Sequence, residues 1–72
     1  MAARHEVDVA GHLARAAEMY EDVLQTLGRA DTSEDAMSSA EGRSSLVALI
    51  EEIAEVERRA VTELGNAANA IN

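Results

Sequence analysis

Apolar residues recur at alternating steps of four and three in two long stretches of the sequence, and this spacing constrains the fold more than any other feature. Such rows are typical of α-helices that pack on other helices. The first row consists of Val9, Leu13, Ala16, Tyr20, Val23 and Leu27, and the second of Leu46, Ile50, Ile53, Glu57, Ala60, Leu64, Ala67 and Ile71.

The two rows predict an all-α chain, since Pro is absent and Ala, Glu, Leu and Arg favour helix. We expect one domain over residues 1–72, an antiparallel two-helix hairpin. Helix 1 is predicted at about 5–27, the connection at about 28–43 and helix 2 at about 44–70.

The predicted connection contains its own helix signals. Gly28 directly follows the first row and could end helix 1 in the left-handed conformation. Thr32 or Ser33 resembles a helix start, and Ser38 with Glu41 has capping-box spacing. The connection is therefore expected to contain a short extra helical turn or an early start of helix 2. Gly65 could end helix 2 early or lie inside a helix that reaches Ile71.

The core of one hairpin would be thin, because 15 of the 72 residues are Ala and Tyr20 is the single aromatic residue. Cys is absent, so disulfides cannot compensate. Further apolar residues widen the second row, as expected for a helix that touches two neighbours: Val47, Leu49, Ala54, Val56, Val61 and Ala68. Two copies are therefore predicted to pair into a four-helix bundle. The predicted interface comprises the whole first row with Leu46, Ile50, Ile53, Ala60 and Leu64.

Glu57 and Tyr20 are the unusual members of the two rows. An ionised Glu57 at a core position would need a partner such as Arg15 or Arg58. Alternatively, the helix rotates locally, so that Val56 faces inward and Glu57 stays in water. Tyr20 is expected to fill the layer where the helices diverge, with its hydroxyl reaching water or a carboxylate.

The net charge of −8 argues against nucleic acid and anionic membranes as partners. The longest unbroken apolar run, Leu46 to Ile50, has five residues, too few for a membrane span. These features predict a cytoplasmic protein.

Few residues suggest chemistry. His5, Asp8 and His12 could share one helical stripe, but we expect a solvated stripe with Asp8 supporting His12, and no bound metal or cofactor. The pairs Glu18 with Glu21 and Glu52 with Glu55 are expected on charged outer faces with Arg15, Arg58 and Arg59; these pairs are not expected to bind metal. Nothing resembles a catalytic triad or a phosphate-binding loop, so no enzyme activity is predicted.

The segment Ala-Gly-His-Leu-Ala-Arg around His12 resembles the phosphorylatable His of helical phosphotransfer domains, although its Arg and Leu are out of register with that pattern. The leading prediction is a non-enzymatic interaction module, a self-associating acidic hairpin that docks a larger protein. One alternative is a small helper, similar to export chaperones or antitoxins, whose apolar face binds a different chain. Another is a phosphotransfer or metal role at His12.

Overall fold

The computed structural model describes the backbone of residues 2–72 and the side chains of residues 8–72. It consists of α1 (Ala2–Gly28), α2 (Glu34–Ser38) and α3 (Ala40–Ile71), with no strand among the described residues. The prediction of an all-α chain is confirmed. Neither long helix contains, within the described residues, a stretch long and apolar enough to cross a membrane.

The two long helices run antiparallel and pack along each other. Near one end, Glu63 of α3 contacts His12 and Arg15 of α1. Near the other end, Arg29 and Leu46 line the same cleft. The result is a rod of 57 × 15 × 10 Å, with α2 packed on α3 at the end that holds the connection.

Two serines begin the helices of the connection. The Ser33 hydroxyl accepts a hydrogen bond from the Ala36 amide at 3.2 Å and caps the start of α2. Ser33 is one of the two residues predicted to start this helix. The Ser39 hydroxyl accepts from the Gly42 amide at 2.9 Å and starts α3. This cap lies one residue after the predicted Ser38–Glu41 pair. The connection therefore contains both predicted features, an extra helical turn and an early start of the second long helix.

Glycine is required at position 42. An added Cβ there would overlap the carbonyl group of Ala36, whose carbon would lie 2.7 Å away. The missing side chain thus lets the end of α2 pack directly against the first turn of α3.

Of the other two predicted helix ends, the left-handed end at Gly28 is wrong, and the continuation of the second long helix through Gly65 is confirmed. Gly28 is the last residue of α1 and no glycine has a positive φ, so α1 does not end in the left-handed conformation. Two hydrogen bonds, Arg29 N to Thr26 O at 3.0 Å and Ala30 N to Leu27 O at 3.1 Å, complete the turn instead. Gly65 lies inside α3, which continues to Ile71.

The residues between α1 and α3 form one interhelical row on each helix, again in steps of three and four, and all are buried or half-buried. The row of α1 is Val9, His12, Ala16, Met19, Val23 and Thr26, and the row of α3 is Leu46, Leu49, Ile53, Val56, Ala60, Glu63, Ala67 and Ala70. Ala16 is 2% exposed and Ala60 0%, so even these small side chains are covered where the two helices pack on each other.

These rows share every second member with the predicted rows. Val9, Ala16, Val23, Leu46, Ile53 and Ala60 lie between the helices, whereas Leu13, Tyr20, Leu27, Ile50 and Leu64 are exposed in the single chain. Glu57 is also exposed while Val56 is half-buried, as the second alternative predicted, but the cause is not a local rotation, because the interhelical row of α3 is regular over its whole length.

Candidate functional site

Most large apolar side chains that the hairpin leaves exposed lie on two stripes, one on each long helix. Among residues 8–72 ten are exposed, and nine of these belong to the stripes; Met37 is the tenth. The stripe of α1 is Ala10, Leu13, Ala17, Tyr20, Leu24 and Leu27, and that of α3 is Val47, Ile50, Ala54, Glu57, Val61, Leu64, Ala68 and Ile71. Leu24 is 69% exposed and Val61 62%, so the stripes are open to solvent.

The two stripes lie on the same side of the hairpin. Each stripe residue follows an interhelical residue by one position, which turns its side chain by about 100° around the helix axis. Because α1 and α3 run in opposite directions, these two equal rotations point to the same side. The stripes therefore form one continuous surface along the rod, which we name the apolar face.

The opposite side of the hairpin is polar. Its residues precede the interhelical rows by one position: Asp8, Gly11, Arg15, Glu18, Asp22 and Gln25 on α1, and Ser45, Ala48, Glu52, Glu55, Arg59, Thr62 and Asn66 on α3. On this polar face Glu55 pairs with Arg59 at 3.7 Å, and also with the neighbouring Arg58 at 2.8 Å. The single hairpin thus has one side suited to water and one suited to burial.

Residues of the two stripes lie side by side at matching levels along the rod. The contacts of Glu63 with His12 and Arg15 fix which levels of the antiparallel helices correspond. With a rise of about 1.5 Å per residue in both helices, Leu13 lies level with Leu64. By the same spacing Tyr20 lies level with Glu57, and Leu27 with Ile50. The apolar face therefore consists of successive layers, each with one residue from either helix.

A polar cluster joins the helices near the open end of the hairpin. Arg15 Nε donates to Glu63 Oε2 at 2.6 Å, and His12 Nδ1 lies 3.2 Å from the same oxygen. His12 Nδ1 is also 2.8 Å from Arg15 Nη2, so a tautomer without hydrogen on Nδ1 accepts from the guanidinium, whereas a tautomer with that hydrogen donates to Glu63. Hydrogen bonds from Arg15 and His12 hold the pKa of the Glu63 carboxyl below its usual value. The cluster fixes the helix register.

This cluster differs from the stripe predicted around His12. The carboxylate that contacts His12 belongs to Glu63 on the other helix, whereas the sequence suggested Asp8. The His5 side chain lies outside the described residues. Within the part of the chain whose side chains are described, no three His, Cys, Asp or Glu residues come together as a metal site would require.

A cleft of about 310 Å³ opens where the connection folds against α3. It is lined by Arg29, Asp31, Ala36, Gly42, Ser45, Leu46 and Leu49. Its charged groups already bond within the chain. Arg29 donates to Thr26 Oγ1 at 3.2 Å, and Asp31 accepts from the Ser33 amide at 3.0 Å. Hydrogen bonds from Ser33 lower the pKa of the Asp31 carboxyl below its ordinary value.

The sequence reasoning missed two residues of these sites, Leu24 of the apolar face and Glu63 of the polar cluster. Leu24 is among the most exposed residues of the apolar face, and its apolar position one turn from Tyr20 is the signal that could have identified it. Glu63 follows Ala60 by three positions and precedes Ala67 by four, which is the spacing of the interhelical row.

Comparisons with known protein families, curated proteins and solved structures find no match to this chain.

Proposed function

We propose that the protein is a non-enzymatic interaction module that works as a homodimer. Two hairpins pair through their apolar faces into a four-helix bundle, and the acidic outer surface docks a larger protein. The observation that carries this proposal is the concentration of exposed apolar residues on one face. A contiguous apolar surface of this kind marks an interaction site in proteins that live in water.

The amount of surface agrees with a dimer of standard size. The chain exposes 5338 Å², whereas a compact monomer of 7.7 kDa exposes about 4,300 Å². The excess of about 1,000 Å² per copy is close to the roughly 800 Å² that each partner buries in a stable interface. The radius of gyration of 17.0 Å likewise exceeds the value of about 11 Å for a compact domain of this length.

The alternation of small and large side chains on the apolar face suits packing against another hairpin. Along α1 the small residues Ala10 and Ala17 alternate with the larger Leu13 and Tyr20, and α3 alternates in the same way in its second half. Alternating small and large residues provide the holes and knobs by which helices interlock. Each copy carries both, so the face is complementary to itself under a two-fold axis.

The polar faces remain outside in this bundle and supply the docking surface. A dimer carries twice the charge of −8 of one chain, which attracts basic protein surfaces and repels acidic ones. A larger partner is accordingly expected to present Arg and Lys toward the bundle.

The alternative in which the apolar face binds a different chain rests on the same residues. One observation favours it: the face is open along the rod and offers a groove between two parallel stripes, which an amphipathic helix of another protein could fill. A native chain that stays monomeric would favour this alternative.

Sedimentation of the native chain tests the dimer directly. At tens of micromolar the expected mass is twice 7.7 kDa. Leu24→Asp places a charge in the proposed interface and should give monomers. Gln25→Asp, at the next residue but on the polar face, is the matched control and should remain dimeric. A native chain of monomeric mass, or equal masses for the two variants, would overturn the proposal.

A further inference from the structure

The middle of the apolar face contains one polar layer. Glu57 is the ionisable member of the α3 stripe, and Tyr20 carries the hydroxyl of the α1 stripe. Both side chains are exposed in the hairpin, and helical spacing places them at the same level. Dimerisation through this face removes both groups from water, so the carboxylate and the hydroxyl each require a partner.

A second hairpin can cover the face in two ways. With the two-fold axis parallel to the helices, α1 of each copy lies on α3 of the other, and both connections are at the same end. Tyr20 then meets Glu57 of the other copy. With the axis across the helices, α3 lies on α3 and the connections are at opposite ends. Full overlap of the faces then brings the two Glu57 carboxylates within about 6 Å of each other along the bundle.

The two arrangements differ in electrostatics. Two carboxylates in a dehydrated layer repel, and the two arginines considered as partners of Glu57 bond to other carboxylates in the hairpin, Arg15 to Glu63 and Arg58 to Glu55. In the parallel-axis arrangement the two carboxylates lie at diagonal corners of the layer, and each accepts a hydrogen bond from the phenol of the other copy, a charge-assisted and strong bond. Sliding the copies to separate the carboxylates would expose apolar layers at both ends.

We infer that Glu57 and Tyr20 determine the arrangement of the dimer: the two-fold axis runs parallel to the helices, both connections lie at one end, and each Tyr20 hydroxyl donates to Glu57 of the other copy. This inference rests on the homodimer proposed above. A polar layer inside an apolar interface commonly selects one arrangement at some cost in affinity.

The arrangement is measured by distances between spin labels. Cys is absent from the native chain, so Thr32→Cys places one label per copy at the connection. The parallel-axis dimer gives label distances of about 25 Å or less, since helices in a bundle pack about 10 Å apart. Opposite connections would lie nearly the length of the rod apart, 57 Å. Asn72→Cys, just after α3, is the second label and should also give a short distance, whereas the opposed arrangement places these labels about 40 Å apart along the bundle.

The outcomes separate the two proposals. Short distances from both labels support the inference. A dimer with long distances overturns the arrangement and leaves the homodimer standing. A monomer without any distance between copies overturns both.

A double-mutant cycle tests the hydrogen bond itself. Tyr20→Phe should weaken the dimer about tenfold, because Glu57 of the other copy loses its donor inside the interface. In a Glu57→Gln background the same change should have a clearly smaller effect. Both residues are exposed in the hairpin, so neither variant disturbs its interhelical rows. An unchanged dissociation constant for Tyr20→Phe would contradict the bond.

Discussion

Arg15 and Glu63 form the ion pair that joins the two long helices, with Nε and Oε2 separated by 2.6 Å. The Glu63 side chain is 16% exposed and Arg15 52%, so the carboxylate is shielded while the guanidinium reaches into solvent. His12 completes the contact from the preceding turn of α1. Protonation of the Glu63 carboxylate would therefore weaken a contact that holds the two long helices in register.

Glu63→Gln is expected to destabilise the fold at neutral pH and to have little effect in acid. Hydrogen bonds from Arg15 and His12 lower the pKa of Glu63 in the folded chain. A group with a lowered folded pKa stabilises the fold above its ordinary pKa, about 4.3 for Glu, and this contribution is lost as the pH falls through the folded value. Urea unfolding at several pH values should show the difference between native and variant chains shrinking below about pH 4.

Glu52→Gln on the exposed polar face is the control for this series. It removes the same charge, so it accounts for the relief of repulsion among the acidic residues. If the two variants have the same unfolding free energy throughout the pH range, the ion pair does not contribute to stability.

The helices were predictable from the sequence, but the side that each helix turns to its neighbour was not. On each helix the predicted row and the interhelical row have the same steps and share every second member, such as Ala16 on α1 and Ala60 on α3. Hydrophobicity favours the row with Leu13 and Leu64, whereas the structure turns His12 and Glu63 inward. The inward rows bring together His12 and Glu63, 51 positions apart in the sequence, and helical periodicity does not reveal such a contact.

The connection was predictable only in outline. The wealth of Ser, Asp and Glu indicated caps, and Ser33 was one of the two candidates. The choice of Ser39 over Ser38 follows from the backbone contact at Gly42, since α3 must begin where its first turn can pass close to Ala36. The helix propensities of the individual residues do not predict a backbone contact of this kind between two helices.

Two glycine substitutions in α3 should act in opposite directions. Gly65→Ala should stabilise the chain by about 1 kcal/mol, because Ala is the better helix former and nothing lies within 4 Å of the added Cβ. Gly42→Ala should destabilise it, by about 1 to 3 kcal/mol, because the Cβ overlaps the Ala36 carbonyl. Thermal unfolding followed by circular dichroism measures both. A lower melting temperature for Gly65→Ala would show that α3 does not continue through this position.

The close approach of the helices at Ala60 predicts intolerance of size. Ala60→Leu should cost about 1 to 3 kcal/mol, because Ala60 is 0% exposed and the extra atoms would push α1 away from α3. Ala14→Leu is the matched control on the exposed side of α1 and should change stability by less than about 0.5 kcal/mol. Equal effects in urea unfolding would argue against the small-residue contact.

Ile50 and Ile53 separate the two packing surfaces of α3, since they lie one helical turn apart and only Ile53 is buried in the hairpin. Ile53→Asp places a charge between α1 and α3 and should cost more than about 3 kcal/mol, which leaves the chain unfolded at every concentration. Ile50→Asp places the same charge on the apolar face, so it should weaken pairing and leave the hairpin contacts intact. Its helical circular dichroism should therefore return as the concentration is raised, because folding is coupled to pairing by mass action. A concentration series from micromolar to millimolar distinguishes the two. If Ile50→Asp unfolds irrespective of concentration while Ile53→Asp stays helical, the rows have been assigned to the wrong surfaces.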